Sequence, residues 1–207
     1  MGRYIGPKNK IARRFGVNLG LKTNPAKVAR RLSQPPGVHG PTKRRGSVSS
    51  FGKQLLEKQK AKYIYGLRER QLSKYVAAAT REAGDSGITL QRMLEFRLDN
   101  VVYRLGFATT RAQARQLVTH GMFALNGVPM NIPSHRVAAG DMVSLKETKA
   151  KKKFFEGVSE RLSQRQPPSW LALDPVKKSG KVLGAPAEAD FDKVFDVKMI
   201  IEYYSSR

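Results

Sequence analysis

Between residues 110 and 130 the spacing of the apolar residues changes period, and that change dictates the local fold. In "TTRAQARQLVTHG" Ala114, Leu117 and Val118 stand three and four residues apart, on one face of a helix. Thr110 and Gln113 have capping-box spacing, which satisfies two N–H groups that a helix start leaves without partners. Gly121 is placed to stop the helix. "MFALNGVPMNI" follows, with Asn126-Gly127 between two short extended runs. Both residues of a two-residue hairpin turn need positive φ, which Asn-Gly supplies. Pro129 cannot donate to a ladder, so the second run is an edge strand or a kinked one. "VAAGDMVSL" adds a further turn and strand. Upstream, in "TLQRMLEFRLDNVVYRLG", Leu90, Leu94, Leu98, Val101, Val102 and Leu105 recur at helical spacing until Gly106. The spacing predicts two helices followed by a small sheet over residues 91–150. Arg111 and Arg115 share a flank of the second helix, beside its apolar face. Their charge reversal is therefore expected to weaken the binding of an anion without disturbing the fold.

Charge says what such a module is for. Lys and Arg number 39 against 16 Asp and Glu, a formal net charge of +23, far beyond what solubility needs. This favours a polyanionic partner, because each phosphate neutralised releases condensed counterions. Nucleic acid comes first, an anionic membrane surface second. The charge is uneven. Residues 1–80 hold 19 basic and 2 acidic residues, residues 81–207 hold 20 and 14, which suggests modules with different jobs. No run approaches the ~20 apolar residues of a membrane span. The start "MGRYIGPKNK" lacks the apolar centre of a secretory signal, and Gly6 stands where a myristoylation pattern requires Ser or Thr. The absence of cysteine excludes disulfides and thiolate metal sites and fits a reducing compartment.

The basic N-terminal part, residues 1–48, is an extension and loop. "LSQPPGVHGPTKRRGSVSS" reads as loop by its Pro, Gly and Ser content. Its Lys43, Arg44 and Arg45 are assigned to phosphate contact, since so few acids are near to neutralise them. "TNPAKVARRL" opens a short helix, with Asn24 as N-cap and Pro25 at the first helical position. A helical region, residues 49–90, packing with the C-terminal segment, follows: one helix over residues 51–65 stopped by Gly66, and a second reaching Gly84. Leu55, Leu56, Tyr63, Leu72, Tyr75 and Val76 offer apolar faces. Lys53, Lys58, Lys60, Lys62, Arg68, Arg70 and Lys74 populate the rest, where they can meet a phosphate backbone.

"RLDNVVYRLGFATTRAQARQLVTHGMFALNGVPMNIPSHRVAAGDMVSL" resembles the small RNA-binding domain named after bacterial small-subunit ribosomal protein S-four. "GPTKRRGSVSSFGKQLLEKQKAKYIYGLRERQLSKYV" resembles the N-terminal region of that family, and "PPSWLALD" and "IIEYYSSR" its C-terminal part, so the resemblance spans nearly the whole chain. It implies a primary rRNA-binding protein on the ribosome of a bacterial cytoplasm or an organelle. Such a protein nucleates small-subunit assembly by holding a junction of rRNA helices in the 5′ domain. It also helps line the path by which mRNA enters, beside small-subunit proteins three and five, and contributes to translational accuracy. The resemblance implies that Arg97, Arg104, Arg111 and Arg115 face RNA, with His120 at the rim. One departure concerns zinc. Many members carry an N-terminal cysteine cluster, whereas Asn9 and Ala12 stand about where its first pair would lie, so no thiolate site exists here. RNA contacts by Lys8, Lys10, Arg13 and Arg14 are expected to hold residues 1–35 instead, leaving them mobile when RNA is absent.

Enzyme readings find little. Modules of this kind also occur on pseudouridine synthases and tyrosyl-tRNA synthetases, and Arg97-Leu98-Asp99 superficially matches the tripeptide around a pseudouridine synthase's catalytic aspartate. An RNA-modifying enzyme of that type is the alternative reading, but no segment is patterned as the catalytic domain it needs. No dinucleotide or Walker glycine motif occurs. Asp99 is expected as a surface ion-pair partner. His39, His120 and His135 match no metal spacing, and no cofactor or catalytic residue is expected. His120 is either a helix-end residue favoured by the dipole or an RNA contact. Phe51, Tyr63, Tyr65 and Trp170 are read as core before base-stacking platforms, with Trp170 anchoring the strand that follows it.

Residues 151–207 are expected as a C-terminal helix and strands. Phe154, Phe155, Val158 and Leu162 form the helix's apolar face, and Lys151–Lys153 either reach RNA or are solvated. "DFDKVFDVKMIIEYY" is acidic, then β-prone. Asp190, Asp192 and Asp196 would suit a basic protein neighbour. The fold class expected is α+β: a mostly helical basic N-terminal region plus a two-helix and small antiparallel-sheet RNA-binding module. A general duplex nucleic-acid binder is a third possibility.

Overall fold

The computed structural model describes residues 4–40, 47–150 and 155–206. Their helices are α1 (Lys8–Phe15), α2 (Pro25–Ala29), α3 (Ser50–Ile64), α4 (Glu69–Ala79), α5 (Ser86–Glu95), α6 (Leu98–Arg104), α7 (Arg111–Thr119), α8 (Glu147–Ala150), α9 (Val158–Ser163) and α10 (Val197–Ser205). The strands are β1 (Phe123–Leu125), β2 (Val128–Met130), β3 (Met142–Leu145), β4 (Leu171–Asp174) and β5 (Ser179–Val182). The fold is α+β. The chain forms two compact units, Met1–Leu90 with Asp192–Arg207, and Gln91–Phe191.

In the first unit α10 packs along α3 and touches α4. The Ile- and Tyr-rich terminal run is thus a helix, not the strand its propensity suggests. Asp196 caps it, its carboxylate accepting from the N–H groups of Lys198 (2.8 Å) and Met199 (3.4 Å). Ile200 and Tyr203, three apart, are buried, so packing of one helical face overrides β propensity. Tyr203 meets Phe51 at 5.5 Å between ring centroids, with Lys58 Nζ 4.3 Å from its own centroid. Helix α3 starts with the Ser49 hydroxyl accepting from Gly52 N–H (3.2 Å), and the left-handed Gly66 follows it. Helix α4 stops at Ala79, short of Gly84, where the Thr80 hydroxyl donates to the carbonyls of Val76 and Ala77 and only exposed residues, with no apolar face to bury, follow. Asn24 caps α2 as expected, accepting from Lys27 N–H (3.1 Å). Residues 4–40 carry packing of their own. Ile11, Ala12, Leu19 and Val28 are buried, and Tyr4 and Phe15 lie 5.6 and 6.0 Å from the Tyr63 ring.

In the second unit the long apolar run expected as one helix is broken between α5 and α6. Arg97 is extended (φ −69°, ψ 136°) and forms a bridge with Arg136. Leu98 and Asp99 donate to the carbonyls of His135 (2.9 Å) and Pro133 (3.1 Å), and the Phe96 carbonyl accepts from Val137 (2.9 Å). The apolar period survives the break: Leu90 and Leu94 are buried on α5, and Leu98, Val101, Val102 and Leu105 enter one core with α7 and the sheet. The Thr110 hydroxyl caps α7 through Gln113 N–H (3.2 Å), but Gln113 answers to Thr109 N–H (2.8 Å), one residue earlier than a capping box requires.

The sheet has the order β2-β1-β3-β5-β4, all antiparallel. Asn126 (φ 50°) and Gly127 (φ 82°) make the turn between β1 and β2, and Pro129 sits on the edge strand as its missing N–H demands. The sheet does not close at residue 150: β5 pairs with β3, Val143 opposite Gly180. A Cβ at Gly180 would collide with Leu105. Trp170, buried at the head of β4, packs edge-on against Phe96 at 5.7 Å. Phe155, Val158 and Leu162 are buried, but the left-handed Gly157 confines the helix to α9. Lys151–Lys153 and Phe154 lie outside the described residues. Of the three acids expected to meet a protein neighbour, Asp190 and Asp196 make hydrogen bonds within the chain. The Asp190 carboxylate accepts from Ser169 Oγ (3.0 Å) and Ala187 N–H (3.2 Å), and Asp196 is the cap described above.

Candidate nucleic-acid interface

Helices α6 and α7 bring four arginines together around two carboxylates. Glu95, at the last turn of α5, is fully buried, and its carboxylate accepts from Arg104 Nε (2.8 Å), Arg104 Nη2 (2.9 Å) and Asn100 Nδ2 (2.8 Å). Arg111 Nη2 stands 3.9 Å away. Asn100 couples the two sides: its oxygen accepts from Arg111 Nε (2.8 Å). The Arg111 guanidinium lies 4.6 Å from the centroid of the Tyr103 ring, a cation–π contact. Asp99 accepts a two-pronged pair from Arg97 (3.0 and 2.8 Å) and a third bond from Arg115 Nη1 (3.2 Å).

The cluster therefore carries more positive than negative charge, and its planar forks are held in fixed geometry. Arg97 is 1% exposed, which confines it to holding Asp99, whereas Arg104, Arg111 and Arg115 retain 17, 13 and 16%. A partly exposed, pre-oriented guanidinium fits phosphate oxygens and loses less rotamer freedom on binding than a loose one. Asp99 is an ion-pair partner, as expected, but a buried one rather than a surface one. Reversing Arg111 and Arg115 would set carboxylates against Glu95 and Asp99, so it would not leave the fold intact. The anchoring residues Glu95, Asn100 and Tyr103 were missed in the sequence. The signal was present: Glu95 and Asp99 are the only two acids in residues 86–140, among six arginines.

In the first unit the candidate cations divide. Arg14, Lys53, Arg68 and Arg70 are exposed. Lys58 is 3% exposed and pairs with Glu69 at 2.7 Å, so it builds the fold instead of meeting a phosphate. Glu69 also accepts from Tyr204 Oη (2.7 Å) and Lys62 Nζ (3.2 Å). Burial works to raise its pKa, but these hydrogen bonds, led by Lys58, outweigh it and hold the carboxyl at about 2. Arg13 is half-buried and its fork donates to the carbonyls of Gln34 (2.9 Å) and Pro35 (3.0 Å). Lys43, Arg44 and Arg45 lie outside the described residues. His120 is exposed at the C-cap of α7. Among the described residues no group of His, Asp and Glu could hold a metal ion, and no helix is long and apolar enough to cross a membrane.

Two family models match the chain: the ribosomal protein S4/S9 N-terminal domain over residues 3–95, and the S4 domain over residues 96–143. Proteins called small ribosomal subunit protein uS4 are similar over full length. That of Roseiflexus castenholzii is 46% identical over 207 residues, covering 99% of this chain and 100% of the relative. Those of Herpetosiphon aurantiacus and Chromobacterium violaceum are each 46% identical, over 210 and 209 residues, with the same coverage.

Proposed function

This chain belongs to the uS4 family of small ribosomal subunit proteins and carries its S4 RNA-binding domain, and from that premise we propose that it is a primary rRNA-binding protein nucleating small-subunit assembly. It holds a junction of rRNA helices in the 5′ domain. It sits beside small-subunit proteins three and five, helps line the path of incoming mRNA and so contributes to translational accuracy. Arg104, Arg111 and Arg115 meet the RNA, with His120 at the rim and the exposed Arg14, Lys53, Arg68 and Arg70 adding phosphate contacts; Lys43, Arg44 and Arg45 are proposed to do the same. The observation that carries this reading is the positively charged arginine cluster fixed on α6 and α7 by Glu95 and Asp99.

Phosphate contacts position a protein on a nucleic acid without choosing among nucleic acids. Steep salt dependence would accompany any polyanion and decides nothing. Competition decides. A structured 5′-domain rRNA fragment should displace labelled rRNA from the protein at concentrations where mixed-sequence duplex DNA does not. Equal displacement by the DNA would make the protein a general duplex binder instead.

A further inference from the structure

A cleft of about 440 Å³ opens between α1, α2 and the loop at Pro36. Its walls include Lys10, Arg13, Lys27 and Arg31, and among the described residues no acid lines it. None could come from nearby in the chain, whose first acid is Glu57. Lys10 and Arg13 are three apart on α1, a spacing that puts side chains on a common helical face, while Lys27 lies on α2 and Arg31 in the turn that follows it. The Arg13 fork is pinned by the carbonyls of Gln34 and Pro35, so one positive charge in the wall is fixed. Asn9 also lines the cleft, and its side-chain oxygen is buried without a hydrogen-bond partner.

Like charges one helical turn apart repel. Lys10, Arg13 and Arg14 crowd one side of α1, whose own eight residues include no acid. An anion in the cleft would relieve this repulsion.

We propose that the cleft is a binding site for one phosphate group, gripped by Lys10, Lys27 and Arg31 against the fixed charge of Arg13. The group is either a phosphodiester of an RNA backbone or free inorganic phosphate. The first source rests on the rRNA reading above, whereas the second stands without it.

The test uses the full-length protein, titrated calorimetrically with inorganic phosphate in chloride buffer at constant ionic strength. Lys10→Gln with Arg31→Gln removes two cleft charges. Arg81→Gln with Lys177→Gln removes two exposed charges elsewhere and controls for net charge. Arg13 is left alone because it holds the loop, and circular dichroism verifies that each variant is folded. The parent should take up one equivalent saturably. The cleft variant should bind about tenfold more weakly or worse, and the control within about twofold of the parent. No saturable uptake by the parent, or equal loss in both variants, overturns the proposal. A second arm identifies the source. If RNA occupies the cleft, phosphate at constant ionic strength weakens rRNA binding by the parent and not by the cleft variant. If rRNA binding of both is indifferent to phosphate, the site serves free phosphate. A parent that fails to bind rRNA defeats the rRNA reading, while the titration still decides the cleft.

Discussion

Asp99 gives the sharpest separation between charge and geometry. Asp99→Asn removes a negative charge from an already basic module, so net charge alone would tighten RNA binding. The cluster geometry predicts the opposite, because Arg97 and Arg115 lose the carboxylate that aims them. Breaking one side of a buried pair also leaves the other uncompensated, and the expected loss of stability is about 3–5 kcal/mol. Denaturant unfolding measures the second effect, and rRNA affinity measured well below the unfolding midpoint gives the first; tighter binding would contradict the arrangement. Glu69 predicts a pH effect. Its pKa falls from 4.5 to about 2 on folding, so its contribution is present above pH 4.5 and is lost as pH falls through that window toward 2. Acid unfolding of the parent should therefore lose ground to Glu69→Gln between these values, and parallel curves would mean that the carboxylate is not held as described.

At the scale of elements, the sequence was most legible where the local signal and the packing agree. Asn126-Gly127 turned where both residues reach positive φ, Asn24 capped α2, and the face of Ala114, Leu117 and Val118 is buried. It was least legible where distant segments decide. The break at Arg97 depends on the backbone of residues 133–137, which no helical periodicity could reveal. The terminal helix depends on a surface offered by α3, and without that surface Ile and Tyr read as strand. Asp196→Ala should cost α10 its cap, about 1 kcal/mol, seen as faster amide exchange at Lys198 and Met199. Gly180→Ala should destabilise the second unit by about 1–3 kcal/mol, because the new methyl enters space filled by Leu105. Thermal unfolding checks it, and an unchanged midpoint would show that Leu105 yields freely.

Over the whole molecule, the partner class was readable from charge alone, since +23 on 207 residues calls for a polyanion. Which cations face that polyanion was not readable, because exposure follows from packing. Lys58 and Arg97 lie in basic stretches, yet both are buried against carboxylates. The acids were legible as scarce and illegible as anchors, and Glu95 shows why: its position in an apolar run becomes meaningful only when α6 and α7 bring Arg104 and Arg111 to it. The claim resting on these pieces is that the protein binds small-subunit rRNA in its 5′ domain. Crosslinking the protein in cell extract and sequencing the attached RNA tests that claim most directly. Crosslinks should concentrate in the 5′ domain of small-subunit rRNA; recovery mainly of tRNA, of DNA, or of rRNA outside that domain would contradict this binding.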